Sequence, residues 1–215
     1  MIGIGLGLGI GLVSSSRAPS ARVADELQKS AGQIALVLTG LILSEPGRVA
    51  DGLLIRSTSA VWMELARVVG SDWTRIYEIP ADKMEEIVAG GLKQWGYDEV
   101  ILTPRSGDHG RDVIATKRGF GSVKILGSVK AYKPGHLVDY DDMRALLGVV
   151  SLDPAASKGL IATTSDFPPR LANDPLSMAI PTRLELMNGE ALRNWLVELA
   201  SGKHDADGFA VHEAL

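Results

Sequence analysis

Two short apolar runs separated by a glycine turn constrain the fold of this chain more than any other stretch. Residues 113–115 and 123–132 have the branched, apolar composition of β-strands, and the sequence Gly-Phe-Gly at 119–121 is typical of a turn. A polar, glycine-rich segment, residues 106–112, leads into the first run and ends in Asp112. The pattern predicts an antiparallel hairpin that begins at Asp112.

The register of this hairpin brings three polar side chains to one place. With the turn centred near Phe120, antiparallel pairing puts Asp112 opposite Ser128, with Cβ atoms about 5 Å apart. Because side chains alternate along a strand, Ser128 and Lys130 share one face, and Lys130 lies diagonal to Asp112. We therefore expect a carboxylate, a hydroxyl and an ammonium group to converge on one patch.

This group of side chains suits the metal-assisted hydrolysis of a phosphodiester. A carboxylate binds a hard cation such as Mg²⁺, which prefers oxygen ligands. The metal polarises the phosphate and activates water, and a nearby lysine can orient that water or stabilise the developing charge. The spacing alone leaves a structural alternative open, because an Asp after Gly-Arg is often a turn or cap residue and a strand lysine is often a solvated edge charge.

Further short sequences follow one another in order along the chain. They are MEEIVA (84–89), GY (96–97), LTPRSGDHGRDVIA (102–115), VKAY (129–132), MRALLG (143–148), KGLIATTSDF (158–167) and LELMNGEAL (184–192). Together they make residues 77–199 similar to the Mrr-type restriction endonuclease domain of the PD-(D/E)xK nuclease superfamily. The resemblance implies a three-layer α/β core in which a central mixed β-sheet is flanked by helices.

The resemblance also implies a function and roles for individual residues. Asp112 matches the metal-binding aspartate, Lys130 the catalytic lysine, and Glu85 the acidic residue of the first helix that can reach the metal. The implied activity is that of a DNA endonuclease, acting on double-stranded DNA in the restriction of foreign or modified DNA. The implied cofactor is Mg²⁺, with Mn²⁺ as an alternative.

One position departs from the family pattern. The family has Glu or Gln two residues before the lysine, and this chain has Ser128. A neutral hydroxyl is a shorter and weaker ligand than a carboxylate, so the affinity for metal should fall. This leaves a second interpretation open, namely a catalytically degenerate nuclease fold that acts as a DNA-binding or regulatory module.

Glu85 also has a structural alternative to metal binding. Asp82 is expected to cap the start of a helix, and Glu85 stands three residues later, which is the spacing of a capping box. Glu85 would then bond to the backbone of its own helix.

The distribution of charge adds to the nuclease interpretation. The chain has a net charge of −4, but residues 105–133 carry seven Lys and Arg against two Asp, a local charge of +5. A positive patch beside a metal site suits a phosphate backbone, although these cations are also typical of ordinary solvated positions. The candidate DNA contacts are Arg105, Arg111, Lys133, Arg144 and Thr164. The hydroxyl of Thr164 has local backbone groups as alternative partners.

Composition and segment lengths define the remaining expectations. With 46% hydrophobic and 22% charged residues the chain is of a globular type, and the absence of cysteine excludes disulfides and fits a reducing, cytoplasmic compartment. We divide the chain into an apolar, glycine-rich segment with a linker, a helical N-terminal extension, an Mrr-like endonuclease domain and a tail. Their bounds are 1–22, 23–75, 76–200 and 201–215.

Two apolar segments near the N-terminus, residues 1–13 and 31–43, are each too short to cross a bilayer as a helix. Membrane attachment through them is disfavoured but left open. Cutting both DNA strands requires two active sites or two events, so a homodimer is a natural arrangement.

Overall fold

The computed structural model describes residues 43–44, 47–104 and 110–202 of the 215-residue chain. The segment 1–22, Arg105 and the tail from residue 203 lie outside this part, as does most of the second apolar segment. None of the described helices combines the length and the apolar character that a bilayer-spanning helix needs.

The described part of the chain contains nine strands, four α-helices and three 3₁₀ helices. The strands are β1 (Leu43–Ser44), β2 (Gly47–Val49), β3 (Gly52–Ile55), β4 (Ser57–Thr58), β5 (Glu99–Leu102), β6 (Val113–Arg118), β7 (Ser122–Lys130), β8 (Lys158–Thr163) and β9 (Leu184–Met187). The α-helices are α1 (Ala60–Ser71), α2 (Ala81–Gln94), α3 (Tyr140–Leu152) and α4 (Gly189–Ser201). Short 3₁₀ helices span Trp73–Glu78, Leu171–Asn173 and Pro175–Ala179.

A mixed sheet forms the centre of the molecule. Its order is β2-β3-β5-β6-β7-β8-β9. In the central hairpin, Arg118 pairs with Ser122 and Val113 pairs with Gly127, so the turn is centred at Phe120 and the predicted register is confirmed. β7, β8 and β9 are parallel to one another. Parallel neighbours need a crossover connection, which α3 supplies between β7 and β8.

The alternation of side chains along the central strands builds two cores. On one face, Val113 and Ile125 belong to a cluster that includes the buried sides of α1, α2 and α4. On the other face, Ile114 and Leu126 cluster with Met143 and its neighbours on α3. Because each face of the sheet is covered, the predicted three-layer α/β architecture is confirmed.

Residues 47–58 differ from the helical interpretation of segment 23–75, because they form strands. β3 pairs with β5 along Leu53–Ile55, and β2 completes a hairpin with β3. The apolar run of β3 is only four residues long, and a run of that length does not distinguish strand from helix by its periodicity. Pairing with β5 covers a sheet edge that would otherwise be open.

The capping-box interpretation of Asp82 and Glu85 is wrong. α2 begins at Ala81, and Pro80 occupies the N-cap position without a side-chain cap. Asp82 therefore lies inside the first turn, where its negative charge still interacts favourably with the helix dipole.

Two adjacent glycines set the packing of α2. A Cβ atom at Gly90 would lie 2.5 Å from Nε1 of Trp62 in α1, and one at Gly91 would lie 2.7 Å from Cζ3 of Trp195 in α4. Trp62 is also fixed by a 2.9 Å hydrogen bond from its Nε1 to the carbonyl oxygen of Ile87. The glycines thus allow two indole rings to contact the helix backbone.

We predict that Gly91→Ala lowers the free energy of unfolding, although alanine favours a helix by about 1 kcal/mol. Overpacking against a rigid indole costs about 1–3 kcal/mol, which outweighs that gain. Gly148→Ala is the matched control, because Gly148 lies in α3 with nothing within 4 Å of its Cβ position. This control should raise the free energy of unfolding by about 1 kcal/mol in urea denaturation. Equal effects of the two substitutions would contradict the packing argument.

Candidate active site

The central sheet, rather than a loop, holds the backbone of Asp112. Its N–H donates to the carbonyl oxygen of Gly127 at 2.7 Å, and its carbonyl oxygen accepts from the N–H of Thr103 at 2.9 Å. The residue is therefore tied to both neighbouring strands at the point where β6 begins. A carboxylate placed in this way has little backbone freedom.

The carboxylate of Asp112 is oriented by the facing strand. Its Oδ2 accepts a 2.6 Å hydrogen bond from the N–H of Val129 and a 3.3 Å bond from the hydroxyl of Ser128. Ser128 is buried, with 5% of its surface exposed. The predicted meeting of the aspartate and the hydroxyl is present in the structure.

The ammonium group of Lys130 has a partner that the hairpin pattern did not indicate. Its Nζ donates to Oδ1 of Asp142 at 2.8 Å, and Oδ2 of the same carboxylate accepts a 3.2 Å bond from the hydroxyl of Tyr132. Asp142 lies in the first turn of α3. The crossover helix thus brings a counter-charge to the end of β7, which strand spacing alone does not reveal.

Asp142 also stabilises the charged form of Lys130. Partial burial acts to lower the pKa of the lysine, but the hydrogen bond and the negative charge of Asp142 outweigh it, and the pKa is raised above its ordinary value. The charge of Asp112 acts in the same direction. Lys130 is therefore a cation at neutral pH. It is suited to stabilising negative charge and is not suited to act as a general base.

Hydroxyl groups at the end of β8 hold the backbone around Lys130. The hydroxyl of Thr163 donates to the carbonyl oxygen of Lys130 at 3.0 Å, and that of Thr164 donates to the carbonyl oxygen of Tyr132 at 2.6 Å. Both threonines are buried. This is the local alternative considered for Thr164, and its hydroxyl is engaged in this conformation.

Glu85 lies half-buried on α2, in the layer on the far side of the sheet from α3. Among the residues that the structure describes, no group of three or more Asp, Glu or His side chains is placed to hold a metal ion. The role of Glu85 as a metal ligand stays a prediction.

The donors beside Asp112 nevertheless fit a hard cation. Mg²⁺ is commonly bound through one or two carboxylates, with water and substrate phosphates as further ligands. Asp112 offers an oriented carboxylate, and Ser128 adds a neutral oxygen. Such a set suits a weakly held ion whose coordination is completed by substrate.

The cations of the predicted positive patch are largely paired with acids from elsewhere in the chain. Lys124 Nζ lies 2.8 Å from Oδ2 of Asp153, and Arg118 Nη2 lies 2.6 Å from Oε2 of Glu99. Lys124 and Arg118 also belong to the tip half of the hairpin, away from Asp112. In the described part of this segment, acids from other elements therefore offset part of the local charge of +5.

Arg111 adjoins Asp112 but is itself engaged by acidic groups. Its Nη2 lies 3.7 Å from Oδ1 of Asp51, and its charge contributes to lowering the pKa of Asp153, after the larger effect of a hydrogen bond from Lys124. Its Nε is buried without a hydrogen-bond partner among the described residues.

Arg144 and Lys133 are the exposed members of the predicted DNA-contact set. Arg144 pairs with Asp141 at 3.1 Å and with Asp174 at 3.3 Å. Lys133 lies in the loop that follows β7. Arg105 lies outside the described residues.

Asp142 and Tyr132 are the residues that sequence reasoning missed. Tyr132 closes the VKAY motif, and Asp142 directly precedes MRALLG. An acidic residue in the first turn of the helix that follows a lysine-bearing strand was the available signal. The hairpin pattern predicts the position of Lys130 but gives no information on the acid that α3 brings to it.

Comparison with known proteins assigns the chain to a family. A family model described as "Restriction endonuclease" (Mrr_cat) matches residues 76–196, more than half of the chain. The chain belongs to this restriction endonuclease family. No curated protein sequence matches the chain significantly.

Two solved structures of restriction endonucleases are similar to the chain. One is the MspJI restriction endonuclease in complex with a 27-mer oligonucleotide, with 16% identity, a TM-score of 0.44, and coverage of 77% of this chain and 38% of that one. The other is the DNA modification-dependent restriction endonuclease AspBHI, with 18% identity, a TM-score of 0.45, and coverage of 68% and 37%. The chain spans less than two fifths of either protein.

We predict that Ser128→Glu creates a metal-dependent gain in stability. Two facing carboxylates repel each other, so the variant should unfold more easily than wild type in EDTA. A bound cation relieves this repulsion, and Mn²⁺ at about 100 times its Kd would stabilise the fold by about 2.7 kcal/mol. Thermal unfolding with increasing Mn²⁺ measures the effect. Ser122→Glu, at the exposed start of the same strand, is the control and should show no such dependence.

Proposed function

We propose that the protein is a Mg²⁺-dependent endonuclease that hydrolyses phosphodiester bonds of double-stranded DNA in the restriction of foreign or modified DNA. Its membership of the restriction endonuclease family supports a nuclease. The single observation that carries the proposal is the contact of Asp112 with the strand that bears Lys130, formed by Val129 N–H and the Ser128 hydroxyl. This contact holds the Asp112 carboxylate beside Ser128, and Lys130 follows two residues later on the same strand.

In this proposal Asp112 holds the metal, Ser128 is a weak or water-mediated ligand, and Glu85 assists from α2. The bound Mg²⁺ supplies Lewis-acid polarisation of the phosphodiester and lowers the pKa of the attacking water. Mn²⁺ is the expected substitute. The sheet fixes the direction of the Asp112 carboxylate before DNA binds, so that no reorganisation of the backbone is required.

Lys130 contributes a positive charge. Lys130 is an ammonium group at neutral pH, and its raised pKa strengthens that state. It can therefore donate hydrogen bonds to the phosphate oxygens as negative charge develops. This favours charge stabilisation or water orientation over proton abstraction. Lys130→Arg would keep the charge but change its geometry, because a guanidinium group is broad and planar.

The DNA duplex would be held by cations around this end of the sheet. Lys133 and Arg144 are exposed, while Arg111, beside Asp112, is largely buried. Arg105 and Thr164 complete the proposed set, although Thr164 must give up its bond to Tyr132 to contact a phosphate. A homodimer in the cytoplasm is part of the proposal, since cleavage of both strands requires two active sites or two events.

We predict that Asp112→Asn and Lys130→Ala each abolish Mg²⁺-dependent cleavage of plasmid DNA. Asp112→Asn removes the metal-binding charge, and Lys130→Ala removes the cation. Glu198→Gln, at an exposed position on α4, loses one negative charge and should cleave like wild type. The assay uses methylated and unmethylated plasmid, with Mg²⁺, Mn²⁺ or EDTA, and circular dichroism to verify folding. Cleavage by both folded active-site variants would refute the proposal.

Ser128 favours a second function, that of a DNA-binding or regulatory module on a degenerate nuclease fold. The same assay applied to Ser128→Glu distinguishes the two. If the substitution raises a low metal-dependent activity, the wild-type site is an attenuated nuclease. If wild type and Ser128→Glu both leave DNA intact but bind it in a salt-sensitive manner, the binding module is the correct function.

A further inference from the structure

We propose that Asp142, supported by Tyr132, is a positioning residue for Lys130. The inference rests on the nuclease function proposed above and adds to it a residue that neither the family match nor the hairpin pattern indicates. Asp142 would fix the direction of the Lys130 ammonium group before DNA binds. It would act through the lysine, without touching the substrate or the metal.

The hydrogen bonds of the Asp142 carboxylate support a role in positioning Lys130. Each oxygen of the Asp142 carboxylate has its own partner, with Oδ1 accepting from Lys130 Nζ at 2.8 Å and Oδ2 accepting from the Tyr132 hydroxyl at 3.2 Å. Both Asp142 and Lys130 have 24% of the side chain exposed. The pair is thus shielded more than a surface salt bridge, which would be worth little.

The rest of Lys130 is already held by the sheet. Its carbonyl oxygen accepts from the hydroxyl of Thr163 at 3.0 Å and from the N–H of Thr164 at 3.1 Å. With the backbone fixed, the remaining freedom lies in the four-carbon side chain, which would otherwise populate many rotamers. Asp142 selects one of them.

Asp142 itself stands on a rigid support. The next residue, Met143, is completely buried in the core beneath α3. The aromatic ring of Tyr132 lies 4.3 Å from that of His136, which limits the movement of its hydroxyl. The carboxylate is therefore held by a packed helix on one side and by the hydroxyl of a stacked tyrosine on the other.

The kinetic test compares Asp142→Asn with Asp141→Asn. Both carboxylates lie in the first turn of α3, so the two changes alter the helix dipole interaction and the net charge alike, but Asp141 is 94% exposed and pairs with Arg144. Asp142→Asn should lower kcat by about 10- to 100-fold, the scale of a misplaced catalytic group, and leave KM for DNA nearly unchanged. Asp141→Asn should leave kcat unchanged, and because it frees Arg144 from this pair, any effect should fall on KM. Equal effects of the two variants, or a rise in kcat with Asp142→Asn, would overturn the inference.

Conservative variants separate positioning from folding. Asp142→Glu keeps the charge and should retain more activity than Asp142→Asn. Tyr132→Phe removes one hydrogen bond to the carboxylate while keeping the ring, so its loss in kcat should be smaller. An Asp142→Glu protein that is folded but no more active than Asp142→Asn would contradict a role in holding the ammonium group.

A second measurement does not depend on nuclease activity. Brief reductive methylation followed by mass spectrometry reports how accessible each lysine amine is. Lys130 should be protected in wild type and in Asp141→Asn, and labelled several times faster in Asp142→Asn. If wild type cleaves no DNA, the proposed function fails, and this labelling alone decides whether Asp142 holds Lys130. Equal labelling of all three proteins would refute the contact.

Discussion

The register of the central hairpin is the constraint on which the rest of this structure depends. β6 and β7 are each covered on both faces, so a slip of one residue would exchange the side chains of the two cores. Lys130 would then turn toward the apolar layer of α1, α2 and α4, where a charge has no counter-ion among the core residues of that cluster. Burial on both sides therefore fixes the relative positions of Asp112, Ser128 and Lys130.

Ion pairs between residues of different elements also position side chains around the sheet. Lys130, Lys124 and Arg118 each meet an acid that lies on another element or in the loop that follows one. These pairs hold long side chains in defined positions, but they also neutralise charge that would otherwise attract DNA. At these three positions the acid reduces the attraction that the cation alone would exert on a phosphate backbone.

The sequence predicted what local patterns can encode. Alternation and the Gly-Phe-Gly turn led to the correct hairpin register. Contacts between residues far apart in the chain could not be predicted from these local patterns. The pairing of β3 with β5 joins residues nearly fifty positions apart, and the Lys130–Asp142 contact requires the path of the crossover helix. For the same reason the local charge of +5 does not show which of its cations are paired, because the acids that meet Lys124 and Arg118 are distant in sequence.

The packing of the two glycines in α2 affects the direction in which the Glu85 side chain leaves the helix. An α-helix turns by about 100° for each residue, so a small rotation about its axis would carry a side chain well away from its target. Gly90 and Gly91 each accept an indole ring, from Trp62 in α1 and from Trp195 in α4. The two rings contact neighbouring sides of α2 and so restrict rotation of the helix about its axis. The rotation of α2, and with it the direction in which Glu85 leaves the helix, therefore depends on its own two glycines together with aromatic residues from one helix before and one helix after it in the chain.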